Sequence, residues 1–403
     1  MKKSWLLGFG FFSISITWAL YNAFVPYFLE KYISSIALIG FFMTLDNYFA
    51  LFLQPWVGSR SDVTRTRFGR RMPYLLIGMP LGALFTMMIP FHTGLVTLIL
   101  FMMLMNLSMS IYRSPTVALM PDITPERDRT RSNGIINFMG GFGAILAFGA
   151  GSVLYKSNEA LPFAAAACIT LISMIILFRF IKEGIDSPGY YNEREARPRI
   201  SFKGQLNRTT VFLLAAIFFW FVAYQGVETL FTLYGKNEMQ LSESEASFSL
   251  TFFSLLFVLF AIPSGWLGKR YGKKPVIVIG VIGLFLVFSA IPFIDSLLLL
   301  RILLGIGGIF WACININSYP FIVSTGSEES IGTRTGMYYL VSSLAAIISP
   351  PLLGQMIDWM GYQILFISAS GSMLAALLCV SMIREKEIAV PPHSEEISPV
   401  STG

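Results

Sequence analysis

The chain has 403 residues, 55% hydrophobic, 15% aromatic and only 13% charged, with mean hydropathy +0.66 and formal net charge +6. Soluble domains carry about 25% charged residues. Windows of about 20 residues without a charge, such as 6–29 and 276–294, are long enough to cross a bilayer, so a soluble enzyme or scaffold is excluded. The basic balance fits loops lying against anionic lipid, and no nucleic-acid partner is expected.

Twelve spans are predicted, at 5–29, 35–57, 72–91, 95–118, 132–155, 160–181, 208–234, 246–267, 275–294, 296–322, 332–355 and 362–383. The first follows Met1-Lys2-Lys3 and runs to Leu29 without a small-residue cleavage site, so it reads as a retained helix. Spans two and three are joined by Gly58–Pro73, GSRSDVTRTRFGRRMP, which carries Arg60, Arg65, Arg67, Arg70 and Arg71. So many cations before a short turn mark a cytoplasmic loop. Gly58 and Gly69 let helix ends approach, and Asp62 offers an acceptor to the arginines. With both termini cytoplasmic, the outer loops hold only Lys31, Lys156 and Lys236, while Arg113 and Arg301 fall inside spans. An integral protein of the cell (inner or plasma) membrane is expected.

Segment 182–207 is polar and mixed in charge, and it divides six spans from six. The expected organisation is a six-helix bundle over 1–181, a cytoplasmic linker over 182–207, a second bundle over 208–384 and a disordered Pro/Ser/Glu-rich tail over 385–403. The halves repeat. Gly58-x-x-x-Asp62 with Phe68-Gly69-Arg70-Arg71 is echoed by Gly265-x-x-x-Lys269 with Tyr271-Gly272-Lys273-Lys274. Spans four and ten end in SPTVALM and SYPFIVS, each followed by an acidic-then-basic loop and a Thr-Arg pair. The fold class is therefore all-α membrane protein, with twelve transmembrane helices in two pseudo-symmetric six-helix bundles. Such repeats imply a transporter whose halves rock about a central site.

Ionisable groups deep in a span default to a functional reading. Asp46 lies about 16 Å from the inner end of span two at 1.5 Å per residue. It reads either as a coupling carboxylate or as a static partner of Asn106 on span four. Glu228 and Arg301 lie in the outer parts of spans seven and ten and pair, structurally or breaking during gating, if those spans are neighbours; Asp295 is a rival partner for Arg301. Sugar sites need rings for stacking plus amides and hydroxyls. Trp18, Tyr21 and Asn22 on span one supply these, as do Asn106 on span four, Tyr224 and Gln225 on span seven, and Trp311, Asn315 and Asn317 on span ten. The blander reading makes the rings packing residues and the amides helix-to-helix bonds. Arg113 either reaches the cytoplasm along its stem or joins Asp62, Asp122 and the loop arginines in an inner gate. Cys168, Cys313 and Cys379 lie in apolar runs without CxxC spacing, so neither a disulfide nor a metal site is expected. No Walker loop, HExxH or nucleophile elbow occurs, so no enzyme and no cofactor is expected.

The G-x-x-x-D…G-R-R loop between spans two and three resembles the signature loop of the major facilitator superfamily, over essentially the full chain. The longer form, GSRSDVTRTRFGRRMPYLLIG, resembles the glycoside–pentoside–hexuronide and sucrose–proton symporter branch. So does Arg113-Ser114-Pro115 with Ala118-Leu119-Met120-Pro121-Asp122, followed by Asn133-Gly134. The branch likeness rests on residues 46–143. It implies a monomeric sugar or glycoside transporter working by alternating access, for a disaccharide such as sucrose or maltose, with cavity residues on spans one, four, seven and ten and with spans seven and ten as neighbours. The gating residues it implies are Gly58, Asp62, Gly69, Arg70, Arg71, Arg113, Asp122, Gly265 and Gly272. Lys269 stands where the second repeat could carry Asp. Ala50 and Gln54 stand where sodium-coupled relatives carry carboxylates, so the proton is favoured over sodium, through Asp46. Asn106 stands where plant sucrose symporters carry Asp. A multidrug or metabolite exporter of the same fold, and a non-transporting membrane sensor, are the competing expectations.

Overall fold

The computed structural model describes residues 2–125, 128–183, 207–325 and 331–383. The expected tail and most of the expected linker lie outside the described residues. In hydrocarbon every backbone N–H and C=O must find its partner within the segment, so apolar runs of this length become helices. The first half holds α1 (Lys2–Glu30), α2 (Ile36–Met43), α3 (Leu45–Val63), α4 (Met72–Met88), α5 (Leu95–Ile123), α6 (Arg129–Ser157) and α7 (Leu161–Phe180). The second holds α8 (Arg208–Asn237), α9 (Glu243–Tyr271), α10 (Lys273–Ala290), α11 (Leu297–Val323), α12 (Ile331–Met360) and α13 (Ile364–Ser381). They make twelve membrane-length spans, with α2 and α3 forming one span over Ile36–Val63. Side-chain oxygens of Ser35, Asn207, Ser242 and Ser296 cap helix starts, and Ser242 with Glu245 forms a reciprocal capping box.

The internal repeat extends to backbone detail. Spans three and nine both end in an Ile-Pro-Phe 3-10 turn, at Ile89–Phe91 and Ile291–Phe293. Gly69 and Gly272 hold the equivalent loop position in each half with φ of +104° and +93°, where a side chain would be strained. The helices also run further than the apolar runs. Gly58–Val63 continues α3, and Pro121-Asp122-Ile123 completes α5. The segment read as a loop from Gly58 therefore starts as two turns of helix, and the signature carboxylate Asp62 sits on a helix rather than in the turn.

α6 packs along α9, and α2 packs against α12, across the boundary between halves. A row of hydrogen bonds joins the halves at the end away from the arginine-rich loop, called the latched end below. Tyr27 donates to Thr232 O at 3.0 Å, and Tyr155 to Glu243 Oε2 at 2.8 Å. Lys236 and Asn237 donate to the two oxygens of Glu30 at 2.9 and 2.6 Å.

Candidate functional site

A cavity of about 350 Å³ lies between the halves. Its polar lining includes Ser15, Trp18 and Asn22 on α1, Arg113 on α5, Tyr224 and Glu228 on α8, Ser254 on α9, and Trp311 and Asn315 on α11. Phe148, Phe253 and Phe257, from α6 and α9, supply an apolar wall. Tyr224 and Trp311 stack face to face, with centroids 4.0 Å apart and planes 4° apart. Phe221 meets the Trp311 ring edge-on at 5.6 Å, and Phe253 leans on Tyr224 at 6.0 Å, which fixes both rings. The pair thus forms a pre-set aromatic platform.

The charges of the cavity form one cluster. Asn22, from the first half, and Tyr224 present hydrogen-bond donors to Glu228, in the second. The Arg113 guanidinium lies over the Trp18 ring, 5.8 Å from its centroid. Asp46 accepts a bond from Asn47 Nδ2 at 3.0 Å and feels Arg113 as the opposite charge and Glu228 as a like one. Asp46 sits in the first turn of α3, just after the interruption at Thr44. The positive end of a helix dipole therefore points at this carboxylate. Beside it, Asn106 Nδ2 bonds Tyr21 Oη at 3.5 Å, while Trp18 Nε1 and Asn106 Oδ1 are buried and meet no hydrogen-bond partner among the described residues.

Several expectations change here. Trp18, Asn22, Tyr224, Trp311 and Asn315 do line the cavity, whereas Tyr21, Asn106 and Gln225 are not among its lining residues. Tyr21 and Asn106 are each 1% exposed and form a buried layer behind Trp18. Asp46 is held by Asn47, not by Asn106. Arg113 neither reaches the cytoplasm nor joins the loop cluster. The α5 helix continues to Ile123, about 15 Å beyond it at 1.5 Å per residue, so Arg113 sits at cavity depth. Glu228 and Arg301 do not pair. Arg301 faces α9, bonding Ser249 Oγ at 3.3 Å and lying over the rings of Phe248 and Phe252. Substituting both Glu228 and Arg301 with Ala should therefore change thermal stability and transport additively, within about 0.5 kcal/mol. Non-additivity in a double-mutant cycle would show a contact. The apolar contribution of α6 and α9 was missed because phenylalanines in a span carry no signal beyond hydropathy.

The arginine-rich segment forms a second cluster, which among the described residues ties the ends of α3, α4 and α5 to Glu183. Arg71 donates through Nε to Asp122 at 3.0 Å, pairs with Asp62 at 2.5 Å, and bonds Ser61 Oγ and Gly58 O at the end of α3. Arg70 reaches the other oxygen of Asp122 at 2.6 Å. Glu183 accepts the backbone N–H groups of Arg71 and Met72 at 2.8 and 3.0 Å, at the start of α4. Burial pushes its carboxyl above the usual range, opposed by those backbone donors. The close approaches serve this cluster. A Cβ at Gly69 would overlap Glu183, and one at Gly58 would crowd Ser114 Oγ at 2.7 Å. In the second half the echo carries no carboxylate. Lys273 donates to Pro320 O and Lys274 to Ile383 O, at 3.0 and 2.8 Å, and a Cβ at Gly265 would find only ordinary contact with Ile316.

The profile of the Major Facilitator Superfamily matches residues 7–248 and 236–402. The chain is 26% identical over 338 residues to the class B tetracycline resistance protein of Escherichia coli, covering 81% of this chain and 82% of the other. It is 24% identical over 268 residues to the class H tetracycline resistance protein of Pasteurella multocida, spanning 64% of each chain. It is 22% identical over 372 residues to Multidrug resistance protein 2 of Bacillus subtilis, covering 90% of each. Among solved structures, the nucleoside transporter NupG superposes with a TM-score of 0.76 at 15% identity, covering 94% of this chain and 99% of that one. A bacterial homolog of the human lysosomal transporter Spinster, inward-facing and unoccupied, gives 0.73 at 13% identity over 96% of each chain. These structures share the fold. With two halves of six spans, a chamber between them and a profile match over nearly its whole length, the chain belongs to the Major Facilitator Superfamily as an integral membrane transporter.

Proposed function

We propose that the protein is a proton-linked secondary transporter of a small, ring-bearing, hydroxyl-rich solute, a glycoside in the first instance. The observation that carries this reading is the chamber itself. One wall is the Tyr224–Trp311 platform, and Arg113, Glu228, Asn22 and Asn315 converge on the same space. A sugar ring has an apolar face that covers an aromatic platform, while its vicinal hydroxyls match a fork of donors and a carboxylate. Asp46 is the proposed proton carrier, and Glu228, whose charge acts on it from the other half, the group that reports on it. Residues 1–181 and 208–384 act as the two rocking units of a monomer. The positive-inside rule puts both termini and the arginine-rich loop on the cytoplasmic side of the cell membrane.

A second reading, export of an amphiphilic organic compound, is favoured by the phenylalanine wall and by the names of the resistance-protein relatives. Thermal-shift titration of the purified protein against glycosides and against polycyclic drugs separates the two, because a ligand stabilises the state it binds. Stabilisation by glycosides supports the first reading, and stabilisation by drugs alone replaces it with the second. For whichever solute binds, Trp311→Ala should weaken binding about tenfold to a hundredfold, from loss of roughly 1.5–3 kcal/mol of ring burial. Trp311→Phe should retain most of it. Equal affinity in Trp311→Ala would remove the platform from the site.

A further inference from the structure

The helix α2 is only eight residues long, and both its ends are specialised. At its start, Asp358 from the far end of α12 accepts three bonds across the boundary between halves. Ser35 Oγ donates at 2.7 Å, Ile36 N at 2.7 Å and Ala37 N at 3.1 Å. These are the N–H groups that have no partner within a helix, and the carboxylate also meets the positive end of the helix dipole. Alongside, Gly40 lies against the backbone of Pro350 and Gly354 against that of Ile36, so closely that a Cβ at either would overlap it. At its other end Thr44 interrupts the span. Its N–H lies within reach of both Gly40 O and Phe41 O, its hydroxyl turns back to Phe41 O at 2.8 Å, and the chain resumes as α3. Asp46 is two residues further on.

We infer that Asp358 is a positioning residue of the transport cycle: it holds the latched end shut through α2, and its release swings α2 about Thr44 and alters the surroundings of Asp46. Ser35 makes the release possible without leaving a bare helix end. Its oxygen already lies 3.3 Å from Leu38 N, so it caps α2 from within the same half once Asp358 withdraws. The groups that face Asp46 are Tyr21 from α1, Arg113 from α5 and Glu228 from α8, with Tyr339 of α12 facing Arg113 in turn. Tyr362 faces Asp358. When the clasp opens and the halves part, Glu228 in the second half moves relative to Asp46 and Arg113 in the first, so the distance between the two carboxylates changes. The link to Asp46 rests on the coupling role proposed above, but the clasp does not.

Nitroxides on Thr93→Cys and Asp295→Cys, both exposed in the equivalent loops of the two halves at the latched end, read the separation directly. The three native cysteines are replaced by serine, and distances are measured by electron double resonance in nanodiscs across a pH series. Asp358→Asn should move the distribution to longer distances, and so should Gly354→Val, which acts by bulk and keeps the carboxylate. In Asp358→Asn the pH midpoint of the long-distance population should also shift, by about one unit, a tenfold change in the gating equilibrium. Distributions that superimpose on the parent in both variants overturn the inference. So does an unmoved midpoint in Asp358→Asn when Asp46→Asn abolishes the pH dependence. A pH dependence that survives Asp46→Asn would instead sink the coupling reading while leaving the clasp to be judged on distance alone.

Discussion

Asp46→Asn should abolish uphill accumulation of the solute while leaving downhill exchange running. The amide keeps the size of the carboxyl and its acceptor oxygen for Asn47 Nδ2, but it cannot take up or release a proton. The like charge of Glu228 and the opposite charge of Arg113 both act on this position, so its charge state is felt by a residue in each half. Proteoliposomes loaded for counterflow and for pH-driven uptake make the measurement: counterflow persists, and uptake stops at equilibration. Accumulation at the parental level would remove Asp46 from the coupling mechanism. Replacing external sodium with potassium should have no effect in either protein.

Arg71→Ala should cost about 3 kcal/mol of stability, the largest effect in the basic cluster. Arg71 is 4% exposed, and its fork joins the end of α3 to Asp122 on α5. Truncation removes the Arg71 contacts to Asp62, Ser61, Gly58 O and Asp122 together, leaving Arg70 as the remaining fork on Asp122. Arg71→Lys should recover little, because an ammonium is a point charge and cannot span these acceptors at once. Asp62→Asn should cost no more than about 1 kcal/mol, since that side chain is 34% exposed and its pair is screened by solvent. Thermal unfolding in detergent ranks the three variants. Parental stability in Arg71→Lys would contradict the fork geometry.

The spans were legible because hydrocarbon imposes both length and apolarity on a helix. The repeat was legible because Gly69 and Gly272 each need a left-handed backbone that glycine supplies. Hydropathy gives depth only where a helix ends with its apolar run. At Gly58–Val63 and at Pro121–Ile123 the helices continue through polar sequence, which placed Arg113 too near a surface. Nor does depth give the face of a helix. Glu228 and Arg301 were matched by an assumed pairing of spans, yet they turn toward different neighbours. The pause at Thr44 has no glycine or proline beside it; its only local signal is the polar trio Thr44, Asp46 and Asn47, of which Asp46 alone stood out in the sequence. Among the cavity residues, Trp18, Asn22, Tyr224, Trp311 and Asn315 stood out because an aromatic or an amide is unusual at that depth. The phenylalanines opposite them did not.

Asn22 and Glu228 line the cavity from opposite sides of the seam, and the aromatic platform belongs wholly to one side of it. Selectivity is therefore not the property of either unit. A chimera built by exchanging one bundle with that of a relative would inherit a floor from one parent and a ceiling from the other. Its preference among solutes would resemble neither, however well each bundle folded.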